Sequence, residues 1–380
     1  MTKILHLVLN DYENDNRVRR AAECGHETGA EVYIYALSKY DISKYFNHSG
    51  VYIRLFYLIS RSWPKKYLIQ AIKYLEMVVR MIISGVKFNP SLVHAHDLNA
   101  LPIGFCIAKL TGAKLIYDSH EYWADAGALG SSNSIISKVV AKFEKYFIRR
   151  VNASITVSES IAEMLKKDYN IPKPFVVRNV PEKWNLNISK QLRTNLGISR
   201  GTIIILYQGI INGEGVFDLI NAFERTSQNA VLVYLGNGEA VEKLKEMNVN
   251  GVYFHPSVSY TDLPSFTADA DIGVHSMHGN LKNRLYALPN KLFEYIQGEL
   301  SLIVSDLPEM AKVVSDCKLG LVYPNGDIEK LTYCLNKIIS DEKFRKQTHS
   351  ASAYFATKFN WEEEKKVLKN IYYSLLPDLV

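Results

Sequence analysis

Residues 288–296 read Leu-Pro-Asn-Lys-Leu-Phe-Glu-Tyr-Ile, and their types and spacing suit the binding of a phosphorylated ligand. Pro289 belongs in the first turn of a helix. A helix starting there offers free backbone N–H groups and a positive dipole end, where a phosphate can bind with Lys291 adding charge. Glu294 lies one turn further in, where a carboxylate can accept paired hydrogen bonds from vicinal hydroxyls such as those of a ribose. By itself the segment also reads as an amphipathic helix with a solvent-facing Glu. His120 and Glu121 follow a strand expected over residues 114–118 and suit either a site or a buried cap. No Ser/His/Asp or Cys/His arrangement offers a nucleophile.

The elements that must position these groups follow a βαβ rhythm. Strands are expected over residues 4–9, 31–36, 92–95, 114–118 and 153–157, with helices over 17–28, 98–110, 135–150 and 158–168. The alternation restarts after a polar, proline-containing stretch, with strands over 203–207, 230–235, 252–254, 272–275, 301–304 and 319–322. A chain of 380 residues is too long for one ordinary domain of ~100–200 residues. Two α/β domains with parallel sheets are therefore expected: 1–183, then 184–358, with 359–380 a helix crossing back to the first domain. Ligands in such sheets lie at the carboxyl ends of the strands, here in a cleft between the domains.

Composition excludes several classes. With 47% apolar and 22% charged residues the chain is globular, neither a disordered tail nor a low-complexity polymer. Four widely spaced cysteines give neither a disulfide framework nor a zinc site, which suits a reducing, cytoplasmic compartment. The opening apolar run is too short for a secretory signal, and no stretch reaches the ~20 residues that span a bilayer. Charge is uneven, with 24 Lys and Arg against 16 Asp and Glu up to Val180, and 21 against 23 after it. Between Lys44 and Lys87 eight basic residues face one acid and alternate with aromatics. Arg61, Trp63, Lys65, Lys66 and Lys73 mark this as an anionic-membrane patch, since each basic group near such a leaflet contributes ~1 kcal/mol. A solvated helix covering its own core is the plain alternative. No nucleic-acid motif accompanies the patch, so no nucleic-acid partner is expected.

The order of short motifs across both halves resembles one family. They include Asp15-Asn16-Arg17, Val93-His94-Ala95-His96-Asp97, Tyr117-Asp118-Ser119-His120-Glu121, Tyr207-Gln208-Gly209, Gly236-Asn237-Gly238 and the Pro289 helix. The chain resembles the GT-B glycosyltransferases of the large retaining nucleotide-sugar family (group 1 / family 4 type). The resemblance implies two Rossmann-like domains facing each other across a cleft, with the donor on the C-terminal one and the acceptor on the other. It implies a hexosyltransferase that moves a sugar from a nucleoside diphosphate (UDP or GDP type) to a saccharide or polyprenol-linked acceptor in polysaccharide or glycolipid assembly. The expected location is peripheral, on the inner face of the cytoplasmic membrane. No metal or other cofactor is implied, and Asp269-Ala-Asp271, which has the Asp-x-Asp spacing of metal-dependent transferases, reads as structural.

On this resemblance the donor residues are Gly209, Gly213, Gly215, Gly236, Asn290, Lys291 and Glu294. His96 would orient the sugar, Arg284 and Lys291 would hold the diphosphate, and Asp15, Arg17, His120 and Glu121 would lie on the acceptor side. The sequence departs from the family pattern in three places. Tyr286 replaces the first Glu of Glu-x7-Glu, and Ile210 and Glu214 stand where relatives carry basic residues. These departures motivate a rival reading, a non-catalytic binding or regulatory subunit. A sugar-nucleotide epimerase is a third, but lacks assignable acid and base carboxylates.

Overall fold

The computed structural model describes residues 2–10, 12, 15–40, 43–64, 66–123, 135–186, 191–226, 229–279 and 282–379. Two compact units emerge: Met1–Arg178 with Lys365–Val380, and Asn179–Glu364. The first ends five residues before the expected 183. Arg17 donates to the Val177 carbonyl and keeps that residue with the first sheet, whereas the Trp184 amide donates to Gln297 of the second unit. The last helix, Trp361–Leu375, changes allegiance between Glu364 and Lys365. Beyond that point Lys365 and Lys369 pair with Glu27, and the Tyr372 hydroxyl donates to the Ala21 carbonyl.

The first unit is built on β1 (Lys3–Leu7), β2 (Glu31–Leu37), β3 (Lys44–His48), β4 (Val51–Phe56), β5 (Leu92–His96), β6 (Lys114–Ser119), β7 (Ala153–Thr156) and β8 (Phe175–Val176). Their order is β3-β4-β2-β1-β5-β6-β7-β8, and every pairing is parallel except β3 with β4. β5 is buried along its whole length because helices cover both faces of a parallel sheet. Sequence periodicity missed the β3/β4 hairpin, whose aromatic and basic residues read as a surface patch. Its turn is built from Ser49 and Gly50, both with positive φ, and the twist of such a pair matches that of the flanking strands. The helices Tyr67–Phe88, Asp97–Thr111 and Ile135–Ile148 follow β4, β5 and β6.

The second unit contains β9 (Ile203–Gln208), β10 (Ala230–Leu235), β11 (Val252–His255), β12 (Ile272–His275), β13 (Ser301–Ser305) and β14 (Gly320–Tyr323), in the order β11-β10-β9-β12-β13-β14 and parallel throughout. Successive residues of β9 point to opposite faces. Ile204 and Leu206 enter one apolar cluster, and Ile205 and Tyr207 enter the other. These two layers leave the polar end of the strand, Gln208-Gly209, as the place where side chains of different elements meet.

Candidate active site

In the first unit the ends of β1, β5 and β6 converge on a buried polar network. Arg17, early in the helix Asn16–His26, binds Asp118 through two hydrogen bonds, of 2.9 Å to Oδ2 and 2.6 Å to Oδ1. Burial alone would raise the Asp118 pKa, but Arg17 and then His120 hold it well below the usual carboxylate range. His120 sits 3.1 Å from Asp97 Oδ2 and 3.3 Å from Asp118 Oδ2. Burial disfavours its charge, yet these two carboxylates push its pKa up to about 10, so it is an imidazolium at neutral pH. Asp97 takes the left-handed conformation, φ +66°, and its Oδ1 accepts from the His120 amide and Trp123 Nε1. A non-glycine residue held at positive φ stores strain, here against the contacts that aim His120.

Three sequence expectations change here. His96 is wholly buried, with Nε2 3.0 Å from His6 Nδ1, instead of standing open at the end of its strand. Arg17 is spent on Asp118 and Val177 instead of facing an acceptor. Asp15 caps its helix by accepting from the Val18 amide, and its other oxygen accepts from Asn10. Of the acceptor-side candidates, His120 is part-exposed and charged, and Glu121 is exposed beside it. The stacked His6, His94 and His96 rings were not foreseen, because single histidines in separate apolar strands give no spacing signal.

Among the described residues two groups bring ligand atoms within 4.8 Å of one another: His6, His94 and His96, and His96, Asp118 and His120. The second has Arg17 on both of its carboxylate oxygens, and in the first a positive charge on His94 is disfavoured by burial, then by His96 and His6, and last by the same guanidinium. A cation entering either group would meet a buried positive charge already in place. Burial also holds His6 and His94 well below the usual imidazole range, hence neutral. The Asp269 and Asp271 carboxylates are likewise committed, to Arg193 at 3.2 and 2.9 Å and to the amides of Arg193 and Ile204.

The second unit gathers four of the expected donor residues around the end of β9. Glu294, in the helix Asn290–Gln297, has Oε2 2.5 Å from the Gln208 amide nitrogen. Thr267 donates to Gln208 Oε1, and the Gln208 backbone amide donates to the Tyr295 hydroxyl. Gln208 is thus held on two sides and aims Glu294. In the sequence it stands as a polar residue ending an apolar strand, inside the Tyr207-Gln208-Gly209 motif but with no role assigned to it. Lys291, one helical turn before Glu294, lies with Nζ 4.1 Å from the Tyr207 ring centre. Burial lowers its pKa to about 8 against the opposing pull of Glu294, and it has no ion-pair partner among the described residues. A Cβ on Gly209, φ +102°, would sit 3.5 Å from Lys291 Nζ. Gly236 must remain glycine, because a Cβ there would strike the Gly209 carbonyl.

The other donor candidates are less central. Gly213 caps the helix Glu214–Glu224, whose Gly215 packs on the Ser276 carbonyl. Asn290 and Arg284 are exposed, and no hydrogen bond or ion pair joins Arg284 to Lys291 or Glu294. His275 ends β12 fully buried, with neither ring nitrogen hydrogen-bonded, and burial and then Lys291 hold it well below its usual pKa. Glu214 pairs with His278, which also takes Asp218. Ile210 is 71% exposed.

In the basic segment, Lys73 donates to the carbonyls of Arg61 and Trp63 and holds their turn. Arg61, Trp63 and Lys66 are exposed, and Lys65 lies outside the described residues. No described helix is long and apolar enough to cross a membrane.

Two family models cover most of the chain: Glycosyltransferase Family 4 matches residues 16–179, and Glycosyl transferases group 1 matches residues 189–353. The chain belongs to the group 1 glycosyltransferases, and its two parallel-sheet units have the GT-B fold. Similar solved structures include a sucrose-phosphate synthase from Thermosynechococcus elongatus, at 15% identity with all of both chains covered and a TM-score of 0.80. Another is Anabaena HepE in complex with UDP, at 14% identity, covering 98% of this chain and 100% of that one, with a TM-score of 0.75. A curated relative, the sulfoquinovosyl transferase SQD2 of Arabidopsis thaliana, is 18% identical over 83% of this chain. The match spans 62% of that relative's length.

Proposed function

We propose that the chain is a retaining hexosyltransferase that moves a sugar from a nucleoside diphosphate to a saccharide acceptor, polyprenol- or otherwise lipid-linked, in polysaccharide or glycolipid assembly. The observation that carries this reading is the partly desolvated Lys291 beside Gly209, with no ion-pair partner among the described residues and Glu294 held in place by Gln208 one helical turn away. Cleaving the bond between the anomeric carbon and the diphosphate oxygen leaves the bonding electrons on the diphosphate. A pre-aligned cation stabilises that charge as it develops. The acceptor oxygen bonds to the anomeric carbon on the face the diphosphate leaves, and its proton passes to a diphosphate oxygen. Glu294 fixes the ribose hydroxyls, and Lys291 with the start of its helix holds the phosphates. His120 takes the part sequence reasoning gave to His96, as a fixed positive charge on the acceptor side. No step in this reading calls for a metal. The exposed basic and aromatic segment around Arg61, Trp63 and Lys66 supports a peripheral position on the inner face of the cytoplasmic membrane.

The test is a thermal-shift series with UDP, GDP, ADP and dTDP, run beside Glu294→Ala. A ligand at 100 times its Kd adds ~2.7 kcal/mol of stability. Stabilisation by one nucleotide, lost in the variant, supports the site, and NMR of the hydrolysed donor should then show the anomer of the starting sugar. No stabilisation by any of the four would remove the reading. It would favour the non-catalytic subunit, to which exposed Ile210 and the Glu214–His278 pair lend weight, since they stand where the family pattern has basic residues.

A further inference from the structure

A cavity of about 490 Å³ opens in the first unit between β2, β4 and the later turns of the helix Tyr67–Phe88. Four aromatic rings line it: Tyr33, Tyr35, Phe56 and Phe88. Arg54, Arg80 and Lys87 bring three positive charges, and no carboxylate lines it. Arg80 is partly committed, 3.2 Å from Glu76. Arg54 and Lys87 have no acidic partner among the described residues, although Arg54 donates to Ser84 Oγ at 2.6 Å and lies 4.8 Å from the Phe56 ring. Ser84 in turn donates to the Tyr35 hydroxyl at 2.9 Å. The Arg54 guanidinium is thereby held against a hydroxyl-bearing aromatic wall, where its planar fork of N–H donors can pair with two oxygens of a tetrahedral phosphate.

The same helix shows what the rest of the ligand is. Leu68, Ile72, Leu75, Val79 and Ile83 recur every three or four residues, so they form one stripe, and they are 76%, 43%, 60%, 46% and 53% exposed. No element of the described chain covers this stripe. Ile83 is both its last member and part of the cavity wall, and Lys87 follows one turn later on the same face. An apolar track thus runs directly into a basic pocket. A lipid has that polarity: acyl chains against the stripe, phosphate against Arg54 and Lys87.

We propose that this cavity is a binding site for the phosphate-bearing head of an anionic membrane lipid, separate from the donor residues around Lys291. The proposal rests on the membrane-surface part of the functional reading and makes it specific. The surface recognises one kind of headgroup rather than negative charge in general, and a phosphomonoester, with most oxygen atoms free, is the head that fits best.

The experiment is sedimentation of the full chain with phosphatidylcholine vesicles containing phosphatidic acid, or phosphatidylserine at matched net charge. Three variants run beside the wild type: Arg54→Gln with Lys87→Gln in the cavity, Leu75→Ser with Val79→Ser on the stripe, and Lys66→Gln with Lys109→Gln as surface-charge controls. The wild type should prefer phosphatidic acid. The cavity variant should lose that preference and about 30-fold in affinity, the effect of two leaflet-facing cations. The stripe variant should fail to sediment while still binding glycerol 3-phosphate weakly in calorimetry. The surface control should weaken both kinds of vesicle alike and keep the preference. Equal binding of the two lipids by the wild type, or an unchanged preference in the cavity variant, would overturn the proposal. So would binding of free glycerol 3-phosphate as tight as binding of the vesicle, which would make the ligand a soluble phosphate. If the wild type ignores all vesicles yet is still stabilised by a nucleotide, the membrane inference fails while the donor-site reading stands. Thermal midpoints of the variants identify any that have simply lost their fold.

Discussion

The two units use one architecture and treat charge at their strand ends in opposite ways. In the first, Arg17, Asp118, His120 and Asp97 answer one another, so that the Asp118 carboxylate meets two positive neighbours within 3.3 Å. In the second, Lys291 stands against an aromatic ring and a glycine with no ion-pair partner among the described residues. A satisfied charge network stabilises its own fold and holds a single geometry. An unsatisfied cation is costly to bury, and in exchange it has its full attraction available for a ligand. The contrast assigns a structural load mainly to the first set of residues and a binding load mainly to the second.

The largest effect expected from this contrast is on stability. Replacing Arg17 with Ala leaves Asp118 charged and buried without its main partner, and breaking such a pair costs about 3–5 kcal/mol. Urea denaturation should show that loss with or without nucleotide present. A loss below about 1 kcal/mol, the value of an exposed pair, would mean that the network is not structural.

Lys291→Gln should do the reverse. Removing one positive group from a developing charge raises a barrier by about 2.7–4 kcal/mol, and here folding stability should hold or rise slightly because a partly desolvated cation is gone. The wild-type site also predicts a pH effect of definite sign. With its pKa at about 8, Lys291 loses its proton as pH rises through that value, and affinity for a nucleoside diphosphate should fall in the same range. Lys291→Arg, which stays charged, should flatten the profile. A Lys291→Gln variant that binds nucleotide as well as the wild type and unfolds earlier would reverse the two roles.

How far the sequence showed these roles depended on whether the signal was local. The βαβ alternation and the restart near residue 200 come from runs of apolar residues, so the fold was legible. Glu294 and Lys291 share one helix, and their relation follows from helical spacing. The exposure of His96 was not legible, because Val-His-Ala-His-Asp does not show that the strand runs on through His96, which carries that ring into the core. Arg17 and Asp118 are 101 residues apart, and no spacing rule predicts that they meet. The β3/β4 hairpin was hidden in the opposite way. Its aromatic and basic composition suggested a surface function strongly enough to mask its strand pattern.

Glu144 extends the comparison to a group buried in the first unit. Its carboxylate accepts from Tyr117 and Tyr169, both at 2.7 Å, and burial pushes its pKa up to about 7 despite those hydrogen bonds. The folded state therefore keeps a proton that the unfolded chain releases near the ordinary value of 4.5. Stability from this group is full below about 4.5 and is lost as pH rises through about 7. Integrated over that interval, the loss is at most about 3 kcal/mol. Glu144→Gln keeps the shape, cannot ionise, and should remove this part of the pH dependence in urea titrations at about pH 5 and about pH 8. A variant with the wild-type pH slope would place the titration on other groups.

The smallest expected effect is the one most specific to the second unit. Gln208 touches no reacting atom in the proposed reaction. Its side chain connects Thr267 to Glu294, and one intramolecular hydrogen bond is worth about 0.5–1.5 kcal/mol net. Gln208→Ala should therefore weaken nucleotide binding about tenfold at most. The loss should depend on the ribose, because Gln208 acts by aiming Glu294 and Glu294 is assigned to the ribose hydroxyls. The comparison of a nucleoside diphosphate with its 2′,3′-dideoxy form makes that dependence measurable. In the wild type the dideoxy ligand should bind more weakly; in Gln208→Ala the two should bind nearly alike. If the variant weakens both ligands by the same factor, Gln208 supports the sheet end in general, and the positioning role passes to the helix that carries Glu294.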